Sequence, residues 1–349
     1  MVGGEKSMRK YLLPNAGKFY KANLHNHTMY SDGTRTPEEI KEIYSRNGYD
    51  IVAFTDHDVF IPHNDLTDDK FLALNGFEME WIAWRGNNSI LNTGRCDMCF
   101  IALDKDIVKH PVWHREHYLF GNSVNYRDMV QFHEEDPDYV RDYTPECISE
   151  VAKIARDRGF FVTLNHVGWS REDYTYYANY ENLHALELFN GSGIMCGHED
   201  YTPRVYDEML QAGQRIYAIG GDDNHYAEPD NKGSRGLGLA WTMIKAEELE
   251  YGKVASALIK GDMYASNGPE IYDLYIEDGK VHIKCSAADQ VSIKFDKRVA
   301  FSTLAENDDM VTETSFDVDP KWGYFRITVK DERGRVACTR AYFPDEYME

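Results

Sequence analysis

Two histidines, His25 and His27, stand one residue apart at the end of a run of alternating apolar residues. On a β-strand, side chains two positions apart point to the same face, so both imidazoles can bind one metal ion together. The carboxylate of Asp32 follows within a short loop. A lone His-x-His pair is weak evidence for a metal site, because strand histidines are often surface or hydrogen-bonded core residues.

Aspartate and histidine occur together again after two later apolar runs. Asp56 and His57 follow one run, and Asp223 and His225 follow the other. In (β/α) barrels the active site forms at the carboxyl ends of the strands, where such residues come together. The three clusters therefore predict one shared metal site.

Taken in order, the motifs resemble those of the PHP (polymerase and histidinol phosphatase) superfamily. They are His25-Asn26-His27 with Ser31-Asp32-Gly33, Thr55-Asp56-His57, Gly76-Phe77-Glu78, Asn165-His166 and Asp223-Asn224-His225. The resemblance runs from about residue 21 to residue 225. It implies an α/β fold, namely a distorted (β/α)7 TIM-like barrel. It also implies two or three divalent metal ions and, usually, phosphoester hydrolysis.

The resemblance implies a set of metal ligands as well. The first ion would be bound by His25, His27, Glu78 and Asp223. The second would share Glu78 with the first and would also be bound by His166. The third would be bound by Asp32, His57 and His225. Imidazoles and carboxylates of this kind suit Zn, Mn or Fe. Glu78 fits the family spacing better than Glu80. Asp32, His57, Glu78 and Asp223 are the expected catalytic residues.

One departure from the family pattern concerns the second ion. Relatives commonly supply a further histidine from the strand that follows the bridging glutamate, but residues 99–104 contain none. Three outcomes are open: Cys99 binds as a thiolate, Asp104 reaches in from the end of the strand, or the second ion is weakly bound or absent.

The charges of the site predict an anionic substrate. Three divalent ions outweigh the carboxylates of Asp32, Glu78 and Asp223 by roughly three positive charges, although the whole chain has a net charge of −21. A phosphate group can span several ions, and a metal-bound hydroxide can attack its phosphorus. Arg35 and Arg235 are candidates to bind the phosphate oxygens.

Alternating strand and helix patterns place these residues. The pairs Thr36-Pro37, Thr144-Pro145 and Thr202-Pro203 predict helix starts, and each helix ends at a glycine; these are Gly48, Gly159 and Gly213. Apolar runs predict buried parallel strands; they cover 19–25, 50–54, 160–164, 185–189 and 216–219. Asp56 and Asp222 adjoin ligands, and they either orient imidazoles or simply cap turns.

Two segments depart from this alternation. Residues 104–142 form a polar, aromatic insert with four histidines. This insert is expected to be either a lid that contacts substrate or a solvent-exposed surface loop. After residue 262, short β-rich runs follow without helices, at 270–277, 280–285, 291–295, 315–318 and 324–330. We therefore predict a metal-binding barrel over 1–262 and a small antiparallel β-sandwich over 263–349.

Composition narrows the possible partners. The acidic balance opposes binding to a nucleic-acid backbone, and six scattered cysteines suggest no disulfide framework. No apolar segment of signal-peptide or membrane-spanning length occurs, so a cytoplasmic location is expected. The small phosphorylated substrate is the one predicted partner, and oligomeric state stays open.

Two other functions compete with a phosphoesterase. Amidohydrolase-like enzymes that cleave C–N or lactone bonds also use His-x-His on a barrel strand, but they typically add a bridging lysine and a lone late aspartate. A non-catalytic metal-binding module is the other alternative.

The pair Cys96 and Cys99 has no second pair, which disfavours a redox role.

Overall fold

The computed structural model describes residues 9–84, 93–225, 236–307 and 309–348. Strands in the first part of the chain are β1 (Lys10–Tyr11), β2 (Lys18–Asn23), β3 (Ile51–Phe54), β4 (Leu72–Trp84), β5 (Thr93–Ala102), β6 (Lys109–His110), β7 (Gln131–Phe132), β8 (Phe160–Leu164), β9 (Ala185–Asn190) and β10 (Tyr217–Gly221). Later strands are β11 (Trp241–Ala246), β12 (Met263–Ser266), β13 (Ile271–Glu277), β14 (Lys280–Ala288), β15 (Gln290–Phe295), β16 (Ala300–Leu304), β17 (Val311–Asp317), β18 (Phe325–Lys330) and β19 (Val336–Thr339).

The helices are α1 (Pro37–Arg46), α2 (Pro145–Asp157), α3 (Val167–Ser170), α4 (Tyr174–Tyr177), α5 (Gly191–Met195), α6 (Pro203–Gln211), α7 (Tyr251–Lys260) and α8 (Pro344–Tyr347). Together with one large sheet they make a mixed α/β fold. None of the helices in the described part of the chain is both long and apolar enough to cross a membrane.

Local sequence explains where the longer helices begin and end. The Thr36 hydroxyl accepts from the Glu39 N–H, and the Glu39 carboxylate accepts from the Thr36 N–H, which confirms the predicted capping box. Thr144 caps α2 in the same way, through the N–H of Cys147. Helix α6 begins at its proline without a bond from the Thr202 side chain. The three glycines expected to end these helices all have positive φ.

The large sheet contains a row of strands that carries the predicted site. Its order is β10-β9-β8-β5-β4-β3-β2, followed by β11. Strand β11 runs antiparallel to β2. From β10 to β2, neighbours are parallel except around β5, which runs antiparallel to both β4 and β8. The prediction of a purely parallel arrangement was wrong at this point. Strand β5 follows β4 after only a short connection, and a short connection suits antiparallel neighbours because it needs no crossover helix.

The two ends of this row meet at the predicted site. Asn26, just after β2, forms a parallel bridge with Asn224, just after β10. The His27 N–H donates to the Asn224 carbonyl at 3.1 Å, and the Asp223 N–H donates to the His25 carbonyl at 2.9 Å. The segments that bear the predicted ligands are therefore hydrogen-bonded to each other.

The chain after residue 262 is rich in antiparallel strands, as predicted, although β12, β16 and β19 were not expected. Strands β12, β19, β18, β15 and β16 extend the large sheet beyond β11, while β1, β13, β14 and β17 form a second sheet. Buried residues of both sheets share one apolar cluster, which includes Val281, Ile283, Ile293 and Ile327. Hydrogen bonding between strands continues across residue 262, because β12 pairs with both β11 and β19.

Candidate metal centre

The structure brings the eight side chains predicted as metal ligands into one region. Seven lie in segments that follow β2, β3, β8 and β10; they are His25, His27, Asp32, His57, His166, Asp223 and His225. The eighth, Glu78, differs from the others because it lies inside β4 and not after a strand end. Antiparallel pairing with β5 extends β4 past the site, as far as Trp84.

Three overlapping groups describe the geometry. The central group is His25, His27, Glu78 and Asp223, in which each imidazole Nε2 lies 3.1 to 3.3 Å from an oxygen of each carboxylate. The open group is His27, Asp32, His57 and His225, and the buried group is Glu78, Asp97 and His166; within each of these two the ligand atoms lie within 4.8 Å of one another.

Distances in the central group match those around a single ion. His25 Nε2 lies 3.2 Å from His27 Nε2, 3.2 Å from Glu78 Oε1 and 3.3 Å from Asp223 Oδ1. His27 Nε2 lies 3.3 Å from Glu78 Oε2 and 3.1 Å from Asp223 Oδ1. Ligand atoms about 2.1 Å from a tetrahedral ion are roughly 3.4 Å apart. The residues present therefore fit a divalent cation.

Hydrogen bonds on the outer nitrogens assign the imidazole tautomers. His25 Nδ1 lies 3.1 Å from Glu187 Oε1, and His225 Nδ1 lies 2.9 Å from the Asp223 carbonyl. Both partners only accept, so Nδ1 carries the proton and the Nε2 lone pair is available. His27 Nδ1 lies 3.3 Å from Ser31 Oγ, which itself donates to Asp56 at 2.8 Å. His27 is thereby held in the same tautomer.

The electrostatics of the site favour a positive charge. Burial alone lowers the pKa of His25, but the charges of Asp223 and Glu78 outweigh it and hold that pKa well above its usual value. The pKa of His166 is raised to about 9, because its bond to Glu78 and the charge of Asp97 outweigh the effect of burial. A metal ion can replace the protons that these carboxylates attract.

Backbone geometry at the site is unusual. His166 and Asp223 have φ values of +26° and +51°, in the left-handed region. At two glycines a side chain would collide with the site: a Cβ at Gly221 would lie 2.6 Å from Glu187 Oε1, and one at Gly33 would lie 2.6 Å from the His27 carbonyl oxygen. Glycine at these positions lets the ligand-bearing segments approach closely.

Two buried acids at the site were missed by the sequence analysis. Glu187 accepts from His25 Nδ1, from the His166 N–H at 3.0 Å and from Asn190 Nδ2 at 2.8 Å. A carboxylate within the apolar run of β9 was the available signal. Asp97 lies on β5 and contacts His166; it shares a strand face with Cys99, two residues away.

The acids next to the ligands turn out to hold loops. Asp222 accepts from the N–H groups of residues 238, 239 and 240 and from the Tyr49 hydroxyl. Asp56 accepts from the backbone and hydroxyl of Thr28, both at 2.7 Å, and from Ser31. Neither carboxylate bonds directly to an imidazole in these contacts, but Asp56 orients His27 through Ser31.

The alternatives for the missing family histidine separate clearly. Asp104 is exposed, its side chain accepts from the Asp106 N–H, and it belongs to none of the ligand groups found among the described residues. Cys99 is buried near His25 and Glu78, and its Sγ accepts from Asn165 Nδ2 at 2.9 Å. Burial raises the pKa of its thiol. The thiol of Cys96 is also buried, and Cys96 and Cys99 are not joined by a disulfide bond.

Of the two arginines predicted to bind phosphate oxygens, only one lies in the described part of the chain. Arg35 is partly exposed near the open group and lies 3.7 Å from Glu39. Arg235 lies outside the described residues. Glu80, the rival of Glu78, pairs with Arg95 and belongs to none of the groups.

The insert at 104–142 borders the open group. Ser123 Oγ donates to the His57 carbonyl at 2.6 Å, and the Asn122 N–H donates to the Ser31 carbonyl at 2.7 Å. The exposed ring of Phe120 lies 5.0 Å from the His57 ring. The four histidines of the insert join none of the metal-ligand groups found among the described residues. One of them, His110, packs against Phe77 in the core.

Comparisons with known proteins give low similarity. No family model matches the chain, and no curated protein matches it. Among solved structures, it is similar to a two-domain protein containing a predicted PHP-like metal-dependent phosphoesterase from Bacteroides vulgatus. The TM-score is 0.46 and the identity 15%, over 98% of this chain and 91% of that one.

Two further structures are also similar over part of the chain. One is a candidate metal-dependent phosphoesterase from Bifidobacterium adolescentis, with a TM-score of 0.38 and 18% identity over 62% of this chain and 90% of that one. The other is an amidohydrolase from Chromobacterium violaceum, with a TM-score of 0.36 and 15% identity over 60% and 89%.

Proposed function

We propose that this protein is a metal-dependent phosphoesterase that hydrolyses a phosphoester of a small molecule. The central group supports this most directly, since the Nε2 atoms of His25 and His27 lie 3.1 to 3.3 Å from each other and from oxygens of Glu78 and Asp223. The two buried carboxylates need a compensating positive charge, which a divalent cation would supply.

Two or three divalent ions would be held by the three groups defined above. The donors are imidazoles and carboxylates, a set that suits Zn, Mn or Fe. When bound, such ions activate water as a nucleophile and neutralise charge on phosphoryl oxygens. Glu78 belongs to both the central and the buried group, so its two carboxylate oxygens could hold two neighbouring ions. His27 belongs to both the central and the open group, but with its proton on Nδ1 it has one lone pair and could hold only one ion.

The protein residues supply orientation and access. Glu187 and Ser31 fix the tautomers of His25 and His27, so that each Nε2 points into the centre. Asp32 and His225 are partly exposed, which makes the open group the side from which a substrate approaches. Arg35 would contact the phosphate at this side, and Phe120 would contact the rest of the substrate.

The fold would be a distorted (β/α)7 barrel followed by a β-sandwich. The row from β2 to β10, closed by the bridge between Asn26 and Asn224, supports the barrel. The shared apolar cluster of the two antiparallel sheets supports a sandwich over residues 263–349.

A phosphate-release screen tests the proposal. Metal-free protein would be reloaded with Mn, Zn or Fe and assayed on nucleotides, sugar phosphates and model diesters. We expect turnover of at least one phosphoester and its loss on chelation. Glu80→Gln provides a matched control, because Glu80 is a neighbouring acid outside the groups. If no phosphoester reacts while an amide or lactone does, the enzyme is an amidohydrolase; if nothing reacts, the chain is a non-catalytic metal-binding module.

A further inference from the structure

One carboxylate beside the centre has an oxygen without a hydrogen-bond partner. Asp97 is 1% exposed, and its Oδ1 has no hydrogen-bond partner among the described residues. Its Oδ2 accepts from Arg95 Nε at 2.8 Å and lies 3.6 Å from His166 Nε2. A buried carboxylate oxygen without a donor is costly unless a cation or water satisfies it.

Strand pairing explains why Asp97 reaches the centre. On β4 and β5, Glu78 is directly opposite Cys99, and Glu80 is directly opposite Asp97. Side chains alternate between faces along a strand, so these four lie on one face of the pair. Asp97 is thus diagonal to Glu78, within reach of the same ion.

One guanidinium serves two carboxylates in this corner. Arg95 pairs with both Glu80 and Asp97, and the neighbouring Arg141 pairs instead with Asp58 at 2.7 Å. Asp97 uses only Oδ2 for Arg95, so its Oδ1 is left for a further cation.

Distances agree with a shared ion. His166 Nε2 lies 3.2 Å from Glu78 Oε1 and 3.6 Å from Asp97 Oδ2. These values lie on either side of the roughly 3.4 Å between ligand atoms of a tetrahedral ion. Cys99, by comparison, has its sulfur hydrogen-bonded to Asn165.

We propose that Asp97 is a ligand of the second metal ion, in the place where relatives carry a histidine, with Arg95 as the cation that keeps its carboxylate oriented. This inference rests on the proposed metal centre and specifies its composition. The buried group is then a complete site of Glu78, Asp97 and His166. The extra carboxylate lowers the formal charge of a fully loaded centre from roughly +3 to roughly +2.

Metal binding tests this assignment without any activity assay. Metal-free wild type and variants would be titrated with Mn²⁺ by calorimetry, and bound metal would be counted after dialysis. Asp97→Asn should lose one ion, or bind it about 100-fold or more weakly. Asp97→His, which offers an imidazole at the same place, should keep that ion.

Two control variants separate the alternatives. Glu80→Gln also removes a buried carboxylate from Arg95, but it should keep every ion. Equal metal loss in Asp97→Asn and Glu80→Gln would reduce Asp97 to a partner of Arg95. Loss of the ion in Cys99→Ser, with retention in Asp97→Asn, would make Cys99 the ligand and overturn the proposal.

Circular dichroism accompanies each titration. If Asp97→Asn does not fold, folded Asp97→His decides: retention of the ion supports the assignment, and its loss overturns it. Should wild type bind these ions yet turn over no phosphoester, the proposed function fails while the ligand assignment stands.

Discussion

The open and buried groups use the same ligand types in opposite proportions. The open group has three imidazoles and one carboxylate, and 27% of the Asp32 side chain and 20% of the His225 side chain are exposed. The buried group has two carboxylates and one imidazole, and the side chains of Glu78 and Asp97 are each 1% exposed.

The difference suggests separate roles for the two groups in the proposed centre. An ion held by the open group would keep positions for water and substrate, because solvent reaches its ligands. An ion held by the buried group would be enclosed by charge, and its main effect would be to hold Glu78 in place for the central group. Of these two groups, we expect substitutions in the open group to change catalysis more, and substitutions in the buried group to change metal content more.

The largest loss of activity is expected for substitutions in the central group, which shares ligands with both other groups. Asp223→Ala removes a carboxylate that contacts both His25 and His27, and it should lower kcat/KM by roughly 1,000-fold. Metal analysis should show loss from the central group, while circular dichroism stays close to wild type because the core is built from other residues. Wild-type metal content with full activity would exclude Asp223 from the centre.

His57→Ala tests the open group alone. We expect kcat/KM to fall by about 100-fold, with the ion of the buried group retained. Counting bound metal after dialysis, beside the rate measurement, distinguishes the two groups. A fully active variant with unchanged metal content would remove His57 from the site and weaken the contrast between the groups.

Glu187→Gln tests the support of the central group. Loss of the carboxylate weakens the bond that fixes the His25 tautomer, so metal affinity should fall about 10-fold. Titration with Mn²⁺ measures the change, and Asp222→Asn is a poor control since Asp222 holds a loop. Glu80→Gln serves better, and an equal effect in both variants would argue against a specific role for Glu187.

The smallest effect concerns the rim of the open group. Phe120→Ala should raise KM a few-fold for substrates with an apolar or aromatic group, and it should leave kcat and metal content unchanged. Steady-state kinetics on an aryl phosphate and on glycerol phosphate provide the comparison. An identical change for both substrates would assign Phe120 a structural role.

The sequence predicted the elements whose information is local. The Thr36 capping box, the helix-ending glycines and the apolar strands depend on neighbouring residues, and the structure has them where expected. The clusters at strand ends were predictable for a related reason, because the carboxyl ends of parallel strands share one edge.

The features that could not be predicted from the sequence depend on contacts between segments that are distant along the chain. Asp97 reaches the centre only because β5 runs antiparallel and places Cys99 opposite Glu78. A shift of register by one residue would turn both side chains away. Likewise, nothing local marks the buried contact between Arg326 and Asp207, at 2.7 Å, which joins β18 to α6.

The strand pairing across residue 262 bears on how the molecule can be divided. Cutting the chain there would remove β12 and leave one side of β11 with unpaired N–H and C=O groups. Such an edge attracts other chains, so the shortened protein should aggregate even if its ligands were intact. The C-terminal strands would therefore protect the metal-binding part from aggregation by covering the edge of its sheet. We expect the C-terminal strands and the metal-binding part to unfold together in a single cooperative transition.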